Sequence, residues 1–254
     1  MRLPLLAALL VAATPAFAEA PAADKGAASA GWMAEFDKLW PERADAKVLK
    51  KLYDLVEPVQ KKDDTAFEAN WRLSALLNWD ANNYPDGDLK AGLGKRAWTV
   101  GDKAIQARPD DVRGQYNAAI GIGLYSEGVG ILTALSQGLE GKFKSRAQAA
   151  LRIDKDYTDG GPQALWGRFF FKLPWPKRDL DESIKILSTA AKEHPENLRA
   201  KFYLADSLLG DGKKAEAKKL ADEVMAAPSG KDQAEDKKVR SETERWLKSH
   251  QGDF

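Results

Sequence analysis

Cysteine is absent from this 254-residue chain and histidine occurs only twice. Those scarcities exclude Cys-based zinc sites, disulfide scaffolds, thiol nucleophiles and Cys-ligated iron–sulfur clusters. An excess of either charge is missing too, with 39 Lys+Arg against 38 Asp+Glu. The lysine-rich stretch 177–254 holds sixteen basic and sixteen acidic residues, so even that local excess vanishes. Nucleic-acid binding, which rests on neutralising phosphates with Lys and Arg, has no footprint here. β-Branched residues are sparse, and strand-like alternation never lasts more than a few positions. A Gly-rich phosphate loop and a Ser nucleophile with a base at hand are likewise missing.

What is present is aromatic, alanine-rich and helical in period. The chain opens with Arg2, the apolar run Leu3–Ala13 and Ala16-Phe17-Ala18. That is the pattern of a cleavable signal peptide over 1–18, too short to span a bilayer, and it predicts a periplasmic or secreted protein with no transmembrane span. No lipid-attachment cysteine follows. Residues 19–43 are expected to form a lead-in, disordered over the Ala/Pro/Gly-rich part to residue 30. Residues 44–254 are expected to form a single all-helical domain. Ala and Leu recur there at spacings of three, four and seven, which predicts helices near 44–61, 65–83, 88–107, 110–137, 140–154, 160–172, 178–193, 197–210, 213–227 and 232–249. Turn residues such as Tyr84-Pro85-Asp86-Gly87 and Gly210-Asp211-Gly212 separate them.

Residues 198–231 fit a 34-residue tetratricopeptide unit, with Leu204, Ala205, Leu208, Gly212, Ala217, Ala221 and Val224 at its small and large positions. Ser183, Leu187, Ala190 and Pro195 continue the pattern backwards, as do Ala97, Gly101, Ala104 and Pro109. The expected fold is therefore all-α, an α-α superhelix of tetratricopeptide-like helix hairpins.

Two segments depart from a plain scaffold. In 116–132, apolar nearly all round, four glycines each cost about 0.8–1 kcal/mol relative to alanine, so some close approach must offset them. Tyr116, Ile120, Gly123 and Glu127 share one face. Gly121 and Asn117 lie beside it. Either the glycines pack two helices together or they carve a cleft. In 159–176, Trp166, Phe169, Phe170, Phe171 and Trp175 crowd beside two prolines, as core or as pocket walls, with Arg168 a candidate anion contact. Upstream, Trp71, Asn78 and Trp79 lie on one helical face. The candidate ligand-binding set is thus Trp71, Asn78, Trp79, Tyr116, Asn117, Ile120, Gly121, Gly123, Glu127, Trp166, Arg168 and Phe170.

His194, before a proline, and His250, near the C-terminus, have no catalytic setting. Asp154-x-Asp156-x-x-Asp159-Gly160 lacks the spacing and terminal Glu of a calcium loop. No metal, cofactor or catalytic residue is expected, and the chain is read as non-enzymatic.

The order of a glycine-punctuated helix, Ala150-Leu151-x-Ile153-Asp154, Tyr157-x-x-Gly160-Gly161-Pro162, Gly167, Leu173-Pro174 and a repeat helix ending at His194-Pro195 resembles the T-component proteins associated with TRAP transporters. The resemblance covers roughly residues 65–228. It implies a periplasmic helical-repeat protein with a cleft for a small hydrophobic ligand, a solute-binding protein or other envelope protein as partner, and a homo-oligomer. The alternative is a tetratricopeptide adaptor binding a protein or peptide on its concave face.

Overall fold

The structure, a computed structural model, describes residues 25–254, with side chains from residue 31 onward. The signal-peptide reading at 1–18 and the first part of the lead-in fall outside the described residues. Every regular element among the described residues is helical, and none of these helices is long and apolar enough to cross a membrane. The chain runs through α1 (Lys25–Leu39), a 3-10 turn at Trp40–Glu42, α2 (Ala46–Lys62), α3 (Phe67–Ala81), α4 (Asp88–Ala107), α5 (Val112–Val129) and α6 (Ile131–Ser136). It continues through α7 (Leu139–Ile153), α8 (Tyr157–Lys172), α9 (Leu180–Glu193), α10 (Leu198–Gly210), α11 (Lys214–Ala226) and α12 (Gln233–Ser249). Successive helices pack against one another, an α-α superhelix.

The starts are set by local chemistry. Asp45, Asp111, Asp179, Asn197 and Asp232 each accept a backbone N–H from the first turn that follows, satisfying donors a helix leaves open. The expected lead-in is more ordered than composition suggests. Residues 25–42 are helical, and Phe36 is buried against the core formed by Leu52, Leu73 and Leu76. The helix expected over 110–137 is two helices, because Gly130 takes φ +87° and breaks the run. Within α8, Thr158, Asp159 and Gly160 have left-handed φ of 50°, 54° and 82°. Asn197 Nδ2 donates to the Asp159 carbonyl at 2.7 Å, and the His194 ring fills the space a Gly160 side chain would need.

Two hairpins show how the core is built. In α10–α11, Ala205, Ala217, Ala221 and Val224 are fully buried between the helices. In α4–α5, glycines bring the backbones together. A Cβ on Gly121 would lie 2.5 Å from the Trp98 backbone N, one on Gly94 2.5 Å from Tyr125 N, and one on Gly128 2.5 Å from Ala91 N.

The superhelix closes on itself. Arg43, beside the 3-10 turn, donates to Asp232 at 2.6 Å across 189 residues. Its guanidinium lies between the Trp40 and Trp79 rings, 4.5 and 4.3 Å from their centroids. Lys238 of α12 sits 4.3 Å from the Trp79 ring centroid and donates to Asn83 Oδ1 at 2.8 Å. This seam joins the last helix to the first ones and makes a ring.

Candidate functional site

The ring surrounds a half-open cavity of about 880 Å3. One wall comes from α3 and α5. Helical spacing of three, four and seven puts Tyr116, Ile120, Gly123 and Glu127 on a single inward face, beside Trp71, Asn78 and Trp79. The amides brace this wall: Asn78 Nδ2 donates to the Asn117 carbonyl at 2.9 Å, and Asn117 Nδ2 to the Arg113 carbonyl at 2.9 Å. The indole N–H groups are also satisfied, Trp71 by Glu68 and Trp79 by the Arg43 carbonyl. What these residues present to the cavity is therefore mainly ring surface. Tyr116 meets Tyr157 edge-to-face at 5.5 Å. Burial raises both phenols, Tyr157 to about 12, so both are neutral hydroxyls at physiological pH.

The opposite wall, from α8, α10 and α12, is charged but paired. Arg168 donates to Asp206 at 2.6 Å and lies over the Phe171 and Tyr203 rings. Arg199 serves two carboxylates, Glu235 at 2.8 Å and Glu242. Burial alone would push Glu235 up, but Arg199 overrides it and holds the carboxyl below its usual range. Glu127, at the junction of the walls, follows the same logic. Burial raises it, whereas Lys172 at 2.8 Å and Lys90 at 3.5 Å outweigh that and keep it ionised.

Most of the expected residues face this space, and the exceptions have clear causes. Gly121 is not on the wall: its missing side chain admits the Trp98 backbone. Gly123, two residues on, does line the cavity, and a Cβ there would meet only the Phe143 ring edge at 3.7 Å. The two alternatives for the glycine helix are thus both realised, by different glycines. Trp166 and Phe170 are held in an aromatic stack, with Trp166 parallel to Phe169 at 5.3 Å and edge-on to Phe170 at 5.1 Å. Neither lines the cavity. Arg168 lines it but is committed to Asp206, so it is not a free anion contact.

Sequence reasoning missed Arg199, Tyr203, Glu235 and Glu242, which all line the cavity. The available signal was the seven-residue spacing of Glu235 and Glu242 on a helix that otherwise reads as solvated.

A group with metal-ligand geometry exists at Asp156, Glu193 and His194. Lys155 donates to Asp156 at 3.1 Å and to Glu193 at 2.7 Å, so an ammonium already occupies the space between the two carboxylates and offsets part of their charge. His194, bonded to Asp156 at 3.0 Å, acts as a half-buried strut against Gly160.

No curated protein matches the chain. A family model described as RMD1-3, regulator of microtubule dynamics protein 1-3, matches residues 32–251. That match overturns the resemblance to TRAP-transporter T-components, together with the transport role and periplasmic setting attached to it. The motif that carried the resemblance has a packing explanation. Gly161 leaves room for the Tyr116 hydroxyl and Thr158, and Gly167 for Leu187, needs that a closed helical-repeat ring has whatever it binds. Matched across nearly its whole described length, the chain belongs to the RMD1-3 family.

Proposed function

We propose that this protein is a non-catalytic binder that holds a small hydrophobic ligand in its central cavity. The observation that carries the reading is the half-open cavity of about 880 Å3 with a wall of aromatic faces, within the range that small-molecule sites occupy. The polar groups of the opposite wall support an orienting role. Glu127 and Glu235 are held as anions by their cations, and Tyr116 and Tyr157 are held neutral, so none of these is poised near neutrality as an acid or base. A ligand with an apolar body and a small polar end matches both walls.

The test uses the uncharged fluorophore 1-N-phenylnaphthylamine. Saturable one-to-one binding that raises Tm is expected, because the unfolded chain has no site. Ile120→Trp, filling the cavity from α5, should abolish both effects while leaving the protein folded. Absence of saturable binding to the wild type, or undiminished binding to the filled variant, would remove the proposal.

A second reading, an adaptor, is favoured by the family's description as regulators of microtubule dynamics. Co-sedimentation with polymerised tubulin tests it, and binding that survives Ile120→Trp would assign it to a surface outside the cavity.

A further inference from the structure

The three most exposed of the large apolar side chains described are Trp175 at 90%, Leu132 at 74% and Leu89 at 66%. They stand at one rim of the ring. Leu89 adjoins Lys90, which pairs with Glu127 three residues before Gly130, and Ala91 packs directly on Gly128. Lys177, two residues after Trp175, pairs with Glu140 at the start of α7, immediately after α6. Leu135 and Leu173 both reach the cavity at this edge.

The composition of the rim differs from that of the whole molecule. Residues 128–139 carry no charge in a chain that is 30% charged. The comparable charge-free run among the described residues, 114–126, is the largely buried helix α5, whereas Leu132, Thr133, Ser136 and Gln137 of this one face outward. Its helix, α6, is bounded by Gly130 and Gly138, both left-handed at φ +87° and +70°. Its inner side, Ile131, Ala134 and Leu135, lines the cavity. Around it, segments 86–90, 140–146 and 172–178 hold seven cations against three carboxylates. Glu127 and Asp102 take up Lys90, Lys172 and Arg146, and the exposed cations beside α6 and the Trp175 turn are Lys142, Lys177 and Arg178.

We propose that α6 and the Trp175 turn form a docking surface for an anionic lipid bilayer. An exposed indole between prolines, exposed leucines and flanking lysines suit the bilayer interface, where rings and aliphatic chains leave water and ammonium groups meet acidic headgroups. Because α6 closes one edge of the cavity, docking would place that edge against the membrane. The proposal does not depend on the cavity being occupied.

The absence of cysteine allows a direct test in the full chain. Leu132→Cys and Trp175→Cys, each labelled with an NBD fluorophore, are mixed with phosphatidylcholine vesicles with and without phosphatidylserine. Lys218→Cys, on the exposed side of α11, is the control. A blue shift and intensity gain at 132 and 175 but not 218, larger with phosphatidylserine, is expected. Leu132→Asp with Trp175→Asp should lower co-flotation about tenfold or more while preserving Tm. A label at 132 that stays in water while the chain floats would overturn the proposal, as would no flotation at all. So would a shift at 132 produced by added protein partners and not by vesicles.

Discussion

The α4–α5 and α10–α11 hairpins solve one packing problem in two ways. In α10–α11 the helices meet through alanine, with Ala205, Ala217 and Ala221 fully buried, and a methyl group separates the backbones. In α4–α5 the spacer is removed, and Gly94, Gly121 and Gly128 let backbone meet backbone. The first arrangement follows the tetratricopeptide pattern and repeats. The second is more intimate and leaves one face of α5 free to form a wall. The difference teaches that the glycines closest in sequence have opposite duties: Gly121 glues α5 to α4, while Gly123 keeps the other side of the same helix open.

Substitutions that break the hairpins should rank accordingly. Gly121→Leu drives a side chain into the Trp98 backbone, and its cost should reach or exceed the upper end of the roughly 1–3 kcal/mol typical of overpacking, giving little folded protein by circular dichroism. Ala205→Leu, at an alanine contact, should fall within about 1–3 kcal/mol by urea denaturation, and Lys218→Ala on the exposed side should be near neutral. Equal losses at Gly121 and Ala205 would erase the distinction between the hairpins.

The seam offers a smaller effect. Asp232→Ala removes the cap of α12 and leaves Arg43, only 3% exposed, without its partner. A loss of about 1–2 kcal/mol is expected, concentrated in the exchange protection of α12 rather than of α10.

A further effect at the seam depends on pH. Burial, aided by Arg199 and Arg43 and opposed by Glu235, pushes the Lys238 ammonium down to about 8. Between pH 8 and the ordinary lysine range the unfolded chain retains a proton that the folded chain has released. This group therefore makes stability rise with pH across that window. Methyl-lysine NMR should find its midpoint near 8 and see it move upward in Arg43→Met; a midpoint at the ordinary lysine value would show that the seam is open.

The sequence reveals elements and faces better than it reveals closures. Helix α4 appears at 88–107 from periodicity and turn chemistry alone, and the 198–231 repeat is visible because small residues recur where helices touch. The inward strip of Tyr116, Ile120, Gly123 and Glu127 follows from helical spacing. Thr158 at positive φ was not legible, since a β-branched residue there opposes local preference, and the left-handed stretch is held by contacts that Asn197 and His194 make with Asp159 and Gly160. The Arg43–Asp232 contact was equally invisible, because nothing local marks partners 189 residues apart. Trp166 and Phe170 show the remaining ambiguity: aromatic content identifies a buried cluster but not which rings face a void.

The central claim, a ligand cavity bounded by a glycine-opened helix face, is tested most directly by Gly123→Leu, measured for stability and for 1-N-phenylnaphthylamine binding in the same preparation. The Cβ has room beside Phe143, so the variant should fold with a near wild-type Tm while its side chain occupies the cavity and abolishes the probe-induced rise in Tm. A folded Gly123→Leu protein that binds the probe as tightly as wild type would contradict the account.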